Sequence, residues 1–225
     1  MIRSSRPDLT TYASGVGSAK RRSVRVGLPS VSIEVVPRTA IELRINKERN
    51  VNNVMIDLET LGQRPGCSII SIGAVAFDER TGALGPELYL VVSRDSCREA
   101  GLHEDQSTID WWMGQSDEAK EVLLETESDG ALSLVDALGQ LKQYLDQFNL
   151  SKVKVWGCGS DFDNAILTCC YAAIDQELPW KFWNNRCYRT IKSLDKGPKP
   201  KRVGTYHNAL DDAKTQAIHA IQILR

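Results

Sequence analysis

The sequence contains no run of about 18 apolar residues, the length a helix needs to cross a bilayer, so no membrane span is expected. Its first residues lack the 7–15-residue apolar stretch of a secretory signal. No two of the six cysteines (Cys67, Cys97, Cys158, Cys169, Cys170 and Cys187) form a CxxC pair. A zinc site is therefore not expected. Without a signal segment, reduced thiols in a cytoplasm are the expectation rather than a disulfide framework. No internal repeat is present, and the formal net charge is only −1.

What the chain does have is an ordinary globular composition. Of 225 residues, 42% are hydrophobic and 25% charged, which suits one α/β domain, alone or with a tail. The near-zero net charge conceals an asymmetry. Residues 1–50 hold ten Lys and Arg against four Asp and Glu, whereas the rest holds 18 against 25. Residues 1–30, rich in Ser, Arg, Gly and Thr, read as a mobile tail. Residues 31–46 alternate apolar and polar and fit one or two short strands broken at Pro37. We therefore divide the chain into a basic N-terminal extension, residues 1–50, and a domain, residues 51–225. The acidic body is unlike a non-specific nucleic-acid coat, but acids that hold metal ions keep nucleic-acid chemistry open.

The domain begins with three predicted strands, residues 51–59, 68–78 and 88–93, with a turn at 79–82. Short connections make them an antiparallel meander. From about 104 the pattern becomes helical, and Leu132, Val135, Leu138, Leu141, Leu145 and Phe148 mark one apolar helix face. VKVWG, residues 153–157, reads as a strand, followed by a helix to about Ile174. KFWNN reads as a last strand, residues 189–194 as a short helix, 196–204 as a basic Pro/Gly loop, and 209–224 as a final helix. Leu210, Ala213, Ala217, Ile218 and Ile221 are its predicted inward residues. A meander followed by alternating helix and strand indicates a mixed α/β sheet flanked by helices.

Acids stand at the ends of these elements. Asp57 and Glu59 are two residues apart in a strand, so both project from one face. Two adjacent carboxylates repel, and a hard divalent cation with oxygen ligands relieves that repulsion. The pair alone is equally a polar strand end facing water. After the 153–157 strand come Asp161 and Asp163, either of which can face a site while the other caps the helix. In YHNALDDA, Asn208 is the predicted N-cap, Asp211 supports the first turn, and Asp212 lies one turn in. His207 precedes that helix and is able to accept a proton near neutral pH.

Together these three segments resemble the DEDDh 3′–5′ exonucleases, which carry D-x-E, then an Asp in an F-D context, then H-x-x-x-x-D. The corresponding residues here are Asp57-Leu58-Glu59, Phe162-Asp163, and His207 with Asp212. The resemblance selects Asp163 over Asp161. It narrows to a phage and bacterial branch described as exonuclease VIII-like or exoribonuclease-like, through MIDLETLGQRPG, IISIGAVAFD, IDWWMGQS, VWGCGSDFDNAIL, PWKFWNNRCYRT and HNALDDA. These segments cover most of residues 52–220. Two departures are Cys187, where an acid is expected, and Cys158, where Asn is commoner; both lie off the catalytic set and bear on substrate contacts.

The resemblance implies a ribonuclease-H-like fold, with a meander of three antiparallel strands plus parallel strands, and an exonuclease domain at 51–225. It implies metal-dependent hydrolysis of DNA or RNA from the 3′ end. Asp57, Glu59, Asp163 and Asp212 would hold two Mg²⁺ or Mn²⁺ ions, with His207 as general base. The implied partner is nucleic acid with a 3′ end, single-stranded or overhanging; related enzymes are often homodimers. The implied location is the cytoplasm of a bacterium or of a phage-infected cell. Leu61, Gly62, Trp112, Phe162 and Arg189 are the candidate substrate-binding residues. Trp111 and Trp112 diverge on a helix, so one belongs to the core and the other is free to stack on a base. Arg189 and Thr190 can bind phosphate or serve a helix start, and the 196–202 loop can grip a backbone or be solvated. The rival functions are a non-catalytic nucleic-acid-binding module of the same fold and a hydrolase of short oligonucleotides.

Overall fold

The computed structural model describes residues 51–225, so the expectations for residues 1–50 lie outside the described residues. Strand β1 (Asn53–Thr60) is central to a five-stranded sheet of order β3-β2-β1-β4-β5. β2 (Ile69–Asp78) and β3 (Ala83–Val91) extend it antiparallel on one side. β4 (Lys154–Gly157) and β5 (Asn185–Cys187) extend it parallel on the other. Between β3 and β4 run α1 (Arg94–Glu99), α2 (Gln106–Met113), α3 (Asp117–Glu125) and α4 (Leu134–Leu145). Next come α5 (Asp163–Ala173), before β5, and α6 (Tyr188–Leu194) and α7 (Ala209–Leu224), after it. This is the mixed sheet of a meander plus parallel strands that the sequence indicated.

Strand alternation in β1 sorts its side chains between two cores. Val54, Ile56 and Leu58 enter the larger core with Leu138 and Leu141 of α4 and Ile166 and Tyr171 of α5. Met55 enters a second core with Phe77, Trp156, Tyr188 and the alanines Ala213, Ala217 and Ala220 of α7. Asp57 and Glu59 have the parity of Met55, so they point to the α7 side. Gly73, opposite Asp57 in the β1–β2 register, lets α7 approach: a Cβ there would lie 2.1 Å from the Ala209 carbonyl carbon. The β1–β2 register shifts between Glu59 and Thr60, where the pairing ends beside the two acids.

The departures from expectation have local causes. β3 starts at Ala83 rather than 88 because it is an edge strand, and its half-exposed early residues carry little apolar signal. KFWNN is not a strand: Phe182–Asn184 form a 3₁₀ turn, with Phe182 71% and Trp183 61% exposed, and β5 begins only at Asn185. Val135, expected in the apolar face of α4, is exposed. On α7, Leu210 and Ile218 are half-buried, whereas Gln216 and His219 are buried in their place. All six cysteines are free. Among the described residues no helix is long and apolar enough to cross a membrane.

Candidate active site

The end of β1 delivers Asp57 and Glu59 to the same side as the first turns of α7, and Asp212 meets them there. One carboxylate oxygen from each of the three lies within 4.8 Å of the others. Asp163 stands beside this trio rather than in it. As the first residue of α5, it accepts hydrogen bonds from the backbone N–H groups of Leu58 (3.1 Å) and Cys158, one on each oxygen. Gly157 permits this approach, since a Cβ at that position would come within 2.9 Å of the Asp163 Cβ. Asp161 is exposed.

Asn208 caps α7 by accepting from the N–H groups of Leu210 and Asp211, as its N-cap position predicts. His207 precedes it with φ +63°, a left-handed conformation unusual for a residue with a side chain. Its backbone N–H donates to Asp212 Oδ2 at 3.0 Å, so the histidine backbone is tied to one of the acids. The imidazole lies edge-on to Trp111, with ring centroids 4.9 Å apart.

Two further side chains contact the acids, and neither stood out in the sequence. Gln216, one turn beyond Asp212, donates from Nε2 to Asp57 Oδ1 at 2.6 Å. An amide in an apolar helix stripe is hard to distinguish from a surface residue by pattern alone. Arg202 pairs through both terminal nitrogens with the Asp212 carboxylate and lies over the Tyr206 ring. Of the basic 196–202 loop, this is the member that reaches the acids.

The electrostatics follow from crowding in a protected site. Burial, followed by the charges of Asp163, Glu59 and Asp212, holds Asp57 well above the usual carboxylate range, opposed by the Gln216 hydrogen bond. Glu59 is pushed up to about 8 by burial and then by Asp212 and Asp163, with Arg202 pulling the other way. Burial raises Asp163 to about 6 in spite of its two backbone donors. An all-oxygen donor set whose charges disfavour one another fits hard divalent cations, which prefer such ligands and remove the repulsion.

The acids open into a cleft of about 330 Å³ that His207, Gly62, Phe162 and Arg189 also line. Arg189 is exposed and donates to the Cys158 carbonyl. Two expected substrate residues offer no side-chain surface to a substrate. Leu61 is fully buried with Ile70, Ala119 and Val122, so its side chain is core rather than pocket wall. Trp112 borders the cleft but is 1% exposed and donates its indole N–H to the Thr60 carbonyl, so it has no free face for a base. Trp111, 47% exposed on the same cleft, does. Gln63, Thr60 and Thr108 also line the cleft without having been singled out.

The chain is similar to known proteins in sequence and in fold. An exodeoxyribonuclease of Enterobacteria phage T4 is 27% identical over 180 residues, spanning 65% of this chain and 76% of that protein. The Mg²⁺- and Mn²⁺-bound form of S. pombe Pop2p superposes with a TM-score of 0.54 at 16% identity, over 83% of this chain and 88% of that one. The nuclease domain of 3′hExo, a DEDDh family member bound to rAMP, superposes with a TM-score of 0.50 at 15% identity, over 76% and 90%. The profile of the 3′–5′ exoribonuclease Rv2179c-like domain matches residues 52–224. The chain thus belongs to the 3′–5′ exoribonuclease Rv2179c-like family, with a ribonuclease-H-like fold shared with the DEDDh family member 3′hExo.

Proposed function

We propose that the enzyme hydrolyses DNA or RNA from the 3′ end with two Mg²⁺ or Mn²⁺ ions at the acid cluster and His207 as general base. The observation that carries this reading is the convergence of Asp57, Glu59 and Asp212 in a cleft that also holds His207. Asp57, Glu59 and Asp212 would hold the ions, with Asp163 completing the set from its two backbone donors. Bound there, divalent ions supply an acidified water and positive charge for the leaving 3′-oxygen.

His207 takes the proton of the attacking water, and its backbone bond to Asp212 sets the imidazole's distance from the acids. Gln216 fixes the rotamer of Asp57. Gly62 borders the terminal nucleotide at a position without room for a side chain: a Cβ there would lie 2.6 Å from the Cys67 Cβ. Trp111 takes the stacking role expected of Trp112, while Phe162 and Arg189 border the same cleft. The metals in the Pop2p structure and the rAMP in the 3′hExo structure support this reading. The family's description names RNA and the phage relative's name implies DNA, so both sugars fall within the reading.

The test uses 3′-labelled DNA and RNA strands with Mg²⁺. Release of labelled mononucleotide, abolished by EDTA and by Asp57→Ala, is expected. Release unaffected by Asp57→Ala would overturn the reading, as would strands that bind in Mn²⁺ yet stay intact.

A further inference from the structure

We infer that the strand upstream of the scissile bond runs along a basic groove beside α6, so that the enzyme grips strands of several nucleotides by their phosphates. This rests on the exonuclease reading and names its substrate class: extended single strands rather than dinucleotides.

Beside the catalytic cleft opens a second cavity of about 580 Å³, and Cys158 and Arg189 line both. The catalytic cleft is near the lower end of small-ligand pockets, room for about one nucleotide. A longer strand must leave it, and this cavity adjoins it at Cys158 and Arg189. Its wall carries Arg189, Lys192 and Lys199.

Several cations of the domain pair with acids, among them Arg94 and Arg98 with Glu104, Lys142 with Asp146, and Lys214 with Glu87. Among the described residues, Lys192 and Lys199 have no carboxylate partner. Arg189 donates to a carbonyl, and the Lys192 ammonium lies 5.6 Å from the Tyr188 ring centroid. The groove's one acid, Asp195, is already engaged by His219 Nε2 at 2.9 Å and the Gly197 N–H at 3.0 Å. Three cations thus face the groove against a single carboxylate, a net positive lining in a body whose acids outnumber its bases.

The groove is also held in place. Tyr188 at the start of α6 bonds His219 Nδ1 at 2.8 Å, and His219 bonds Asp195 just past the end of α6, so both ends of that helix are anchored to α7. Three cations on one wall next to a phosphodiester-cleaving site suit a polyanion with regularly spaced charges, a nucleic-acid backbone.

The test compares wild type with the double variant Lys192→Ala, Lys199→Ala. Hydrolysis of a dinucleotide and of 5′-fluorescein octanucleotides, DNA and RNA, is measured with Mg²⁺, together with octanucleotide affinity against salt. The variant is expected to lose about tenfold or more in kcat/KM on octanucleotides and to keep dinucleotide hydrolysis. The slope of log affinity against log salt should become shallower by about 0.7 for each phosphate that the variant no longer neutralises. Equal loss on both lengths, or unchanged octanucleotide affinity and salt slope, would overturn the groove. Neither result touches the exonuclease reading, which fails if wild type releases no nucleotide from any strand.

Discussion

Helix α7 contributes to two buried polar clusters from one face, through Asp212, Gln216 and His219 at spacings of four and three. Around His219 the chemistry is closed: one ring nitrogen meets the Tyr188 hydroxyl and the other the Asp195 carboxylate. Around Asp212 and Gln216 it is open. Three carboxylates converge, Arg202 and the Gln216 amide oppose their charge, and the Gln216 Oε1 has no partner. A buried polar group that has its partners stabilises a fold; a group of like charges without them is retained for something the fold does not supply. The first cluster is architecture; the second is the cluster to which the proposed mechanism assigns cations.

The largest effect should come from opening the second cluster. Asp57→Asn is expected to lower kcat by about 10³-fold or more. Without metal, the same variant should melt no lower than wild type, because an amide cannot take on the charge that burial and the neighbouring acids disfavour there. Steady-state kinetics and calorimetry would check the pair; a matching loss of stability would make Asp57 architecture after all. The converse break is His219→Ala, which leaves the Tyr188 hydroxyl buried and unpaired. It should cost about 2–4 kcal/mol in urea unfolding while leaving dinucleotide kcat within a few-fold.

Gln216→Leu sharpens the contrast, since it removes a donor to Asp57 without removing an acid. Mn²⁺ affinity should weaken about 10–100-fold, read by titration calorimetry, with unfolding stability little changed. The smallest effect is on pH. Glu59 ionises near 8 in the fold against an ordinary 4.5, so protonation favours the folded state. The contribution of Glu59 to the stability of the metal-free protein should therefore be full below about pH 4.5 and be lost, by several degrees of melting temperature, as pH rises towards 8. Mn²⁺ should raise the melting temperature more at pH 8 than at pH 5. A flat profile would mean that the acids are not strained.

Much of this contrast was legible in the sequence, because strand parity and helix capping are local rules. Asp57 and Glu59 share a face, Asn208 caps α7, and α7 itself runs over the residues its pattern marked. The failures are long-range. Which of Trp111 and Trp112 keeps an exposed ring at the cleft depends on Thr60, some fifty residues away, accepting the Trp112 indole N–H. Leu61 was placed by proximity to the acids, but the register shift after Glu59 sends it into a separate core with Trp112. Gln216 and His219 were invisible because an apolar stripe is defined by excluding polar residues, and both acquire their meaning from partners on other elements.

The most direct measurement is Mn²⁺ titration calorimetry of wild type and Asp57→Asn at pH 7 in buffers of different ionisation enthalpy. Carboxyls held protonated by burial and mutual repulsion must give up protons when they take a cation. The account predicts saturable binding of two ions by wild type, with proton release, and weakened binding by Asp57→Asn. Absence of binding, or binding unchanged by the substitution and without proton release, would contradict it.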